Sequence, residues 1–131
     1  MSSVGGAELR VAVEIAGLDR VRWQSLEIPV DTRESLTVLP RTLLEGLGVA
    51  PSGSVPVEFP DGRTAIWDVG DVFIRIGDSE APDTVFFGDE ARLGRHTLAA
   101  LLLTIDPATG RLDRATALMV GPHASYLIPH A

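Results

Sequence analysis

Short apolar segments separated by turn signals run through most of this 131-residue chain, and they limit the folds open to it. Apolar and polar residues alternate at positions 9–15 with the two-residue period of a half-buried strand. Further strands are predicted at residues 21–30, 36–39, 55–59, 63–69, 72–76, 84–87, 103–105 and 111–112. Short strands with a turn every eight to twelve residues, roughly, predict an all-β barrel or sandwich.

Two short helices are predicted among these strands. Pro40 stands where the first turn of a helix accepts proline, and three leucines follow it at helical spacing before Gly48. Residues 95–102 are predicted as the second helix, with its leucines on the buried side. Helices this brief leave the all-β class unchanged.

Gly, Pro and Asp mark the tight turns between the strands. Asp61-Gly62 predicts the turn of a hairpin. Residues 106–110 carry another strong turn signal. Residues 77–83 are predicted as a loop, and Asp83 is interpreted as part of it.

Charge and residue usage exclude several classes of function. The formal net charge of −7 disfavours contact with phosphate backbones, so no nucleic-acid partner is expected. All 11 basic residues are arginine and there is no cysteine, which excludes a Schiff-base lysine, a thiol nucleophile and thiolate metal sites. Chemistry is left to carboxylates, hydroxyls and three histidines.

The sequence also indicates where in the cell the protein is expected. No apolar run approaches the ~20 residues of a membrane span, so no membrane association is expected. The first residues show no basic cluster followed by an apolar stretch, as a signal peptide would. A cytoplasmic location is therefore expected.

The histidines and tryptophans carry no clear signal of a bound group. His96 is predicted as an exposed residue of the second helix. His123 and His130 stand on a proline-flanked tail without paired ligands, so neither a metal nor a cofactor is expected. Trp23 and Trp67 are predicted to be core or interface aromatics.

An apolar strand that ends in an Asp-Thr pair carries the strongest chemical signal. It leads into Asp31 and Thr32, and the strand predicted at residues 36–39 follows the loop. A second segment, residues 93–98, begins Leu-Gly-Arg-His and leads to the hairpin signal at 105–112. In this order the two segments resemble the retropepsin-like aspartic peptidases, particularly the small bacterial single-domain members.

The resemblance implies a retropepsin-like closed β-barrel, one half of an acid protease, with one or two short helices and a symmetric homodimer as its working form. Residues 1–131 would form a single domain with a core at about 9–118 and a C-terminal tail at 119–131. Carried over to this chain, the family's site residues are Asp31 and Thr32 for catalysis, Arg33, Asp61 and Gly62 for substrate binding, and Gly94 and Arg95 for dimer or structural support.

Arg33 stands where the family has glycine. An aspartic peptidase holds two carboxylates about 3 Å apart so that they share one proton, and the glycine keeps the cleft wall thin. Arg33 is expected to narrow the cleft, and its permanent charge to favour ionised Asp31. Glu34 and Arg92 also depart from the family pattern, and these side chains are expected to come together with Arg33 as compensating charges.

Three functions remain open from the sequence. The first is a homodimeric aspartic endopeptidase that cleaves a peptide or protein substrate with Asp31 from each subunit. The second is a weakly active or inactive relative, because Arg33 replaces the glycine. The third is a non-catalytic β-barrel that serves dimerisation or binds a ligand or a partner protein.

Overall fold

The computed structural model describes residues 9–116, and most of that range is strand. The predicted all-β class with two short helices is confirmed. Within this range no helix is long and apolar enough to cross a membrane. The elements in chain order are β1 (Arg10–Ala16), β2 (Trp23–Pro29), β3 (Val38–Pro40), α1 (Arg41–Gly46), β4 (Gly53–Glu58), β5 (Thr64–Ile76), β6 (Ser79–Gly88), α2 (Arg95–Ala100), β7 (Leu103–Ile105) and β8 (Leu112–Arg114).

Six strands form the main sheet. Their order is β2-β1-β5-β6-β3, and β4 pairs with β5 beside this path. Strand β3 runs parallel to β6, whereas the other pairs are antiparallel. The backbone pairing of residues 9–116 thus runs from β2 to β3 without the closure that the resemblance implied. The predicted last hairpin is present as β7 and β8, with Ile105 opposite Leu112.

Strand β5 is longer than the sequence predicted. A single strand, Thr64–Ile76, joins the two predicted segments, 63–69 and 72–76, apart from residue 63. Gly70 does not interrupt it, because the missing side chain makes room for a ring on the neighbouring strand. A Cβ at Gly70 would lie 2.7 Å from Cε1 of Phe87. This glycine therefore serves packing rather than a turn.

The prediction of a loop at residues 77–83 is wrong. Strand β6 begins at Ser79, and Asp83 lies within it opposite Val72. Only 5% of Asp83 is exposed. An Asp next to a proline is typical of loops, but a carboxylate can be buried in a strand when the interior supplies hydrogen-bond donors.

Two apolar clusters stabilise the fold. Full burial of one large aliphatic side chain contributes about 1.5–3 kcal/mol. The main cluster draws on the sheet and on both helices, and its fully buried large side chains are Ile15, Ile28, Leu39, Leu44, Ile74 and Leu93. A smaller cluster lies beneath the hairpin of β4 and β5, with Val38, Val69 and Phe86 buried and Leu36, Val55, Val57 and Trp67 packed against them.

Both predicted helices exist, and the second is shorter than predicted. Helix α2 ends at Ala100, and Leu102 beyond it has a positive φ of 56° that a helix cannot accommodate.

Trp23 lies under the guanidinium of Arg75, whose Cζ is 3.8 Å from the ring centroid. The predicted tail at 119–131, with His123 and His130, lies outside the described residues.

A residue larger than glycine at position 94 should destabilise the fold. A Cβ at Gly94 would lie 2.5 Å from the carbonyl carbon of Leu36 and 2.9 Å from the nitrogen of Thr37, and these backbone atoms have little room to move. Gly94→Ala should lower the free energy of unfolding by about 3 kcal/mol, at the upper end of the cost of overpacking. Urea denaturation followed by circular dichroism measures this change.

Gly46 in α1 provides the matched control, because a Cβ there would meet no atom within 4 Å. Gly46→Ala should leave the free energy of unfolding unchanged or raise it by up to about 1 kcal/mol. Equal effects of the two substitutions would contradict the close approach at Gly94.

Candidate active site

The loop that carries Asp31, residues 30–37 and called the acid loop below, is held by a second segment that passes between its two arms. Asp31 N–H donates to Leu93 O over 2.9 Å, and Leu93 N–H donates to Pro29 O over 2.8 Å. At the other arm, Val38 and Arg92 exchange two backbone hydrogen bonds of 2.9 Å. Backbone bonds on both sides therefore fix the position of Asp31 relative to residues 92–94.

A buried chain of hydroxyl groups supports this crossing from below. Gly94 N–H donates to Thr37 Oγ1 over 2.9 Å, and Thr37 Oγ1 lies 2.6 Å from Thr97 Oγ1. The Thr97 hydroxyl donates to Oδ2 of Asp83. Since Thr97 gives its proton to the carboxylate, the Thr37 hydroxyl donates to Thr97 while it accepts from Gly94. Each of the two threonine hydroxyls then both donates and accepts a hydrogen bond.

His96 completes the hydrogen bonding of Asp83. Its Nδ1 lies 3.0 Å from Oδ1 of Asp83, while the His96 side chain keeps 57% of its surface exposed. His96 is an exposed residue of α2, as predicted, but its contact with Asp83 was not predicted. Among residues 9–116 no group of three or more His, Asp or Glu side chains is arranged to hold a metal ion.

Asp31 is bound on both carboxylate oxygens by the side chain of Arg33. Arg33 Nε donates to Oδ1 over 2.9 Å and Nη2 donates to Oδ2 over 3.0 Å. The backbone N–H of Arg33 adds a third bond, of 3.1 Å, to Oδ1. Such bidentate pairs are the most directional contacts between a guanidinium and a carboxylate. Only 13% of the Asp31 side chain is exposed, against 89% of the Arg33 side chain.

A second guanidinium lies close to the same carboxylate. Arg92 Nη1 is 3.8 Å from Oδ2 of Asp31, and Arg92 Nη2 is 3.0 Å from Oε2 of Glu90. The charge of Glu34 acts on Arg33, where it adds to the Asp31 contacts that raise the pKa of that guanidinium. Glu34 therefore acts on Arg33, and Arg92 joins them through Asp31, which lies between the two arginines.

These contacts lower the pKa of Asp31. The side-chain hydrogen bonds from Arg33 are the largest cause, and the charges of Arg33 and Arg92 act in the same direction. Partial burial opposes them by penalising the charged form, but its effect is smaller than theirs combined. The structure thus holds Asp31 as a carboxylate, which accepts hydrogen bonds and has no proton to donate.

Arg95 braces the acid loop from within the same chain. Its Nη1 donates to the carbonyl oxygens of Thr32 and Arg33, each over 3.3 Å. Its Nη2 lies 3.4 Å from Ser35 Oγ, and its backbone N–H donates to Glu34 O over 3.0 Å. These contacts support a structural role. Thr32, which is exposed, and Arg95 also line a small cavity of about 320 Å³ next to β7.

A cleft of about 1100 Å³ lies beside Asp31, between the acid loop and the hairpin of β4 and β5. Arg33, predicted to bind substrate, lies in the lining of this cleft. Asp61 and Gly62, also predicted to bind substrate, lie at the hairpin turn outside this lining, where Asp61 Oδ2 pairs with Arg63 Nε at 2.7 Å. The hairpin lines the cleft with residues 56–60 instead.

Sequence reasoning missed two groups of residues at this site. The polar support of Thr37, Thr97 and Asp83 could not be read from the sequence, because its members are far apart in the chain and none has a distinctive neighbour. Trp67 was predicted as a core or interface aromatic, and it also lines the cleft. The alternation of side chains along this strand, next to the Asp-Gly hairpin turn, could have indicated that Trp67 faces the cleft.

Comparison with solved structures identifies the fold. The solution structure of Simian Foamy Virus (mac) protease matches 70% of this chain and 92% of its own, with a TM-score of 0.52 and 17% sequence identity. EIAV protease in complex with the inhibitor HBY-793 matches 76% of this chain and 92% of its own, with a TM-score of 0.53 and 15% identity. No protein-family model and no curated protein sequence matches the chain. At these identities the similarity establishes a retropepsin-like fold.

Removal of the Arg33 guanidinium should raise the pKa of Asp31 toward its ordinary value. Arg33→Gln removes the largest cause of the lowered pKa, while Arg92 stays in place. NMR titration of the Asp31 side-chain carboxyl carbon measures the change. Arg63→Gln is the matched control, because Arg63 also donates through Nε to a carboxylate two residues before it, that of Asp61. An unchanged Asp31 pKa in Arg33→Gln would contradict this assignment.

The lowered pKa of Asp31 also makes the stability of the fold depend on pH. Because the pKa of Asp31 is lower in the folded chain than its ordinary value, the ionised group stabilises the fold at pH above that value. This contribution is lost as the pH falls through the lowered pKa. Wild type and Arg33→Gln should therefore differ in unfolding free energy near neutral pH and converge in acid.

Proposed function

We propose that this protein is a homodimer of retropepsin-like domains, each formed by residues 1–131, whose two Asp31 side chains meet at a peptide-binding cleft and cleave peptides weakly or not at all. The observation that carries this proposal is the bidentate contact of Arg33 with Asp31. The retropepsin-like fold supplies the architecture, and Arg33 changes its chemistry.

Acid–base cleavage by two aspartates needs a shared proton. One carboxylate activates the attacking water while the other, protonated, donates to the peptide carbonyl. Their pKa values separate because two carboxylates at about 3 Å cannot both be ionised. A guanidinium on each Asp31 removes this constraint, since it neutralises each charge where it stands. Two such ion pairs are stable without a shared proton, and the proton donor is lost.

The position of Arg33 also obstructs the approach of a substrate. Its side chain lines the cleft next to Asp31, where a glycine would leave the backbone bare. In a symmetric dimer the partner chain brings the same side chain to the same cleft. A peptide backbone would then have to displace two guanidinium groups before it could reach the carboxylates.

A second candidate, an active endopeptidase, is favoured by the exposure of Arg33. Some 89% of its side chain is open to solvent, and an exposed ion pair restrains a long side chain only weakly. A substrate that offers Arg33 an alternative partner would free Asp31. Wild-type activity would then depend strongly on the substrate, whereas the first candidate gives little cleavage of any peptide.

Arg33→Gly should create or raise peptidase activity. The substitution removes the guanidinium and restores the bare backbone, so that two Asp31 groups can share a proton. We expect a gain of about 100-fold or more, the range of general acid–base catalysis. Cleavage of a mixed peptide library at acid to neutral pH, followed by mass spectrometry, measures it.

Two further variants make this test specific. Arg33→Gly combined with Asp31→Asn should lose the gained activity. Arg41→Ala should behave as wild type, because Arg41 pairs with Asp68 away from Asp31. If Arg33→Gly is folded and dimeric but cleaves no peptide, the proposal of a silenced peptidase site is wrong.

The protein should sediment as a dimer, at twice the chain mass of 14.0 kDa. The acid loop carries one Asp31, so a two-carboxylate site requires a second copy of the chain. Analytical ultracentrifugation over a range of concentrations measures the mass and the dissociation constant. A monomer at every concentration would contradict the proposal and would favour a β-domain that binds a partner by itself.

A further inference from the structure

The cleft beside Asp31 combines an apolar wall with an acidic rim. The wall centres on Trp67, whose ring meets Phe86 edge-on at a centroid distance of 5.6 Å and Phe59 at 6.1 Å. Trp67 and Phe59 are only partly buried and both line the cleft. Their uncovered surface offers contact area to an apolar side chain.

The rim carries an excess of negative charge. Five carboxylates and two guanidinium groups line the cleft, namely Asp31, Glu34, Glu58, Asp89, Glu90, Arg33 and Arg92. Both arginines are already engaged by Asp31 and Glu90. The charge of Glu34 acts on Arg33, whereas within residues 9–116 the structure records no ion pair for the carboxylates of Glu58 or Asp89. The cleft therefore presents at least two carboxylates, Glu58 and Asp89, that can accept a basic side chain.

We propose that this cleft binds an extended peptide segment in which basic residues flank an apolar or aromatic residue. The inference rests on the proposed function in one respect, that a peptide occupies the cleft, and it adds the chemical class of that peptide. The apolar residue packs against Trp67 and Phe59, while the basic side chains reach Glu58 on the hairpin and Asp89 after β6. An extended chain presents side chains to both features at once.

Size and charge argue for this occupant over others. The cleft volume of about 1100 Å³ exceeds the ~300–1000 Å³ of most small-molecule sites, which suits an extended segment. An acidic peptide or a nucleic acid would meet the same carboxylates with repulsion. In a symmetric dimer both halves of the cleft carry the same charges, so the selection acts on both sides of the bound segment.

Equilibrium binding of three matched peptides tests the inference. Each is a fluorescent peptide with a central Leu-Phe pair, flanked on both sides by two arginines, two glutamines or two glutamates. We expect the arginine peptide to bind wild type about tenfold tighter than the glutamate peptide, from several partly exposed charge pairs. The glutamine peptide should lie between them, and high salt should narrow the range.

A pair of double variants separates the cleft from the charge of the whole protein. Glu58→Gln with Asp89→Asn should bring the affinities for the arginine and glutamate peptides together. Glu45→Gln with Asp78→Asn changes the net charge equally, but these residues lie on α1 and in the turn between β5 and β6, away from the hairpin of β4 and β5. This pair should therefore preserve the difference. An equal loss in both double variants would overturn the inference.

Other outcomes also overturn it. These are equal affinity for the three peptides, tighter binding of the glutamate peptide, or no binding of any peptide. Binding that falls as protein concentration rises would assign the cleft to a second copy of the chain instead. None of these results touches the proposed silencing of Asp31, which stands or falls on the cleavage activity of Arg33→Gly.

Discussion

The acid loop depends on one close backbone crossing, in which residues 92–94 pass between its two arms. Hydrogen bonds at Leu93 fix the arm that carries Asp31, and a pair at Arg92 fixes the other arm through Val38. Gly94 allows the approach, since any side chain there would collide with the backbone of Leu36. The fold therefore sets the direction of the Asp31 side chain before any partner or substrate is present.

Buried polar groups hold this crossing in place from the interior. A buried carboxylate in a strand destabilises the fold unless its oxygens are hydrogen-bonded. In Asp83 one carboxylate oxygen is hydrogen-bonded to Thr97 and the other to His96. Through Thr37 the same chain of hydroxyls reaches Gly94. Strand β6, helix α2 and the acid loop are thus tied together by polar contacts that an apolar core would not specify so narrowly.

Much of this arrangement was accessible from the sequence. The Asp-Thr pair after an apolar strand, the Gly-Arg segment at residues 94 and 95, and the last hairpin gave the architecture in the correct order. The effect of Arg33 on Asp31 followed from the charge and reach of a guanidinium. These predictions rest on local spacing and residue chemistry, which the sequence states directly.

The errors came from tertiary contacts. Asp83 was assigned to a loop, and residues 70 and 71 fell between two predicted strands. In the structure Gly70 accommodates the ring of Phe87, and Asp83 is a buried acceptor in β6. Asp61 and Gly62 form the predicted turn, and the hairpin lines the cleft with residues 56–60. For Gly70 and Asp83 the contacting residue is distant in the chain, so a local sequence pattern does not reveal it.

A crystal structure of the homodimer tests the central claim most directly, because it shows both Asp31 carboxylates and both Arg33 side chains together. The account predicts that each carboxylate stays bonded to Nε and Nη2 of its own Arg33, as in the single chain, with no hydrogen bond between the two Asp31 groups. Two Asp31 carboxyl groups about 3 Å apart, with both guanidiniums turned into solvent, would contradict it and identify a working aspartic dyad.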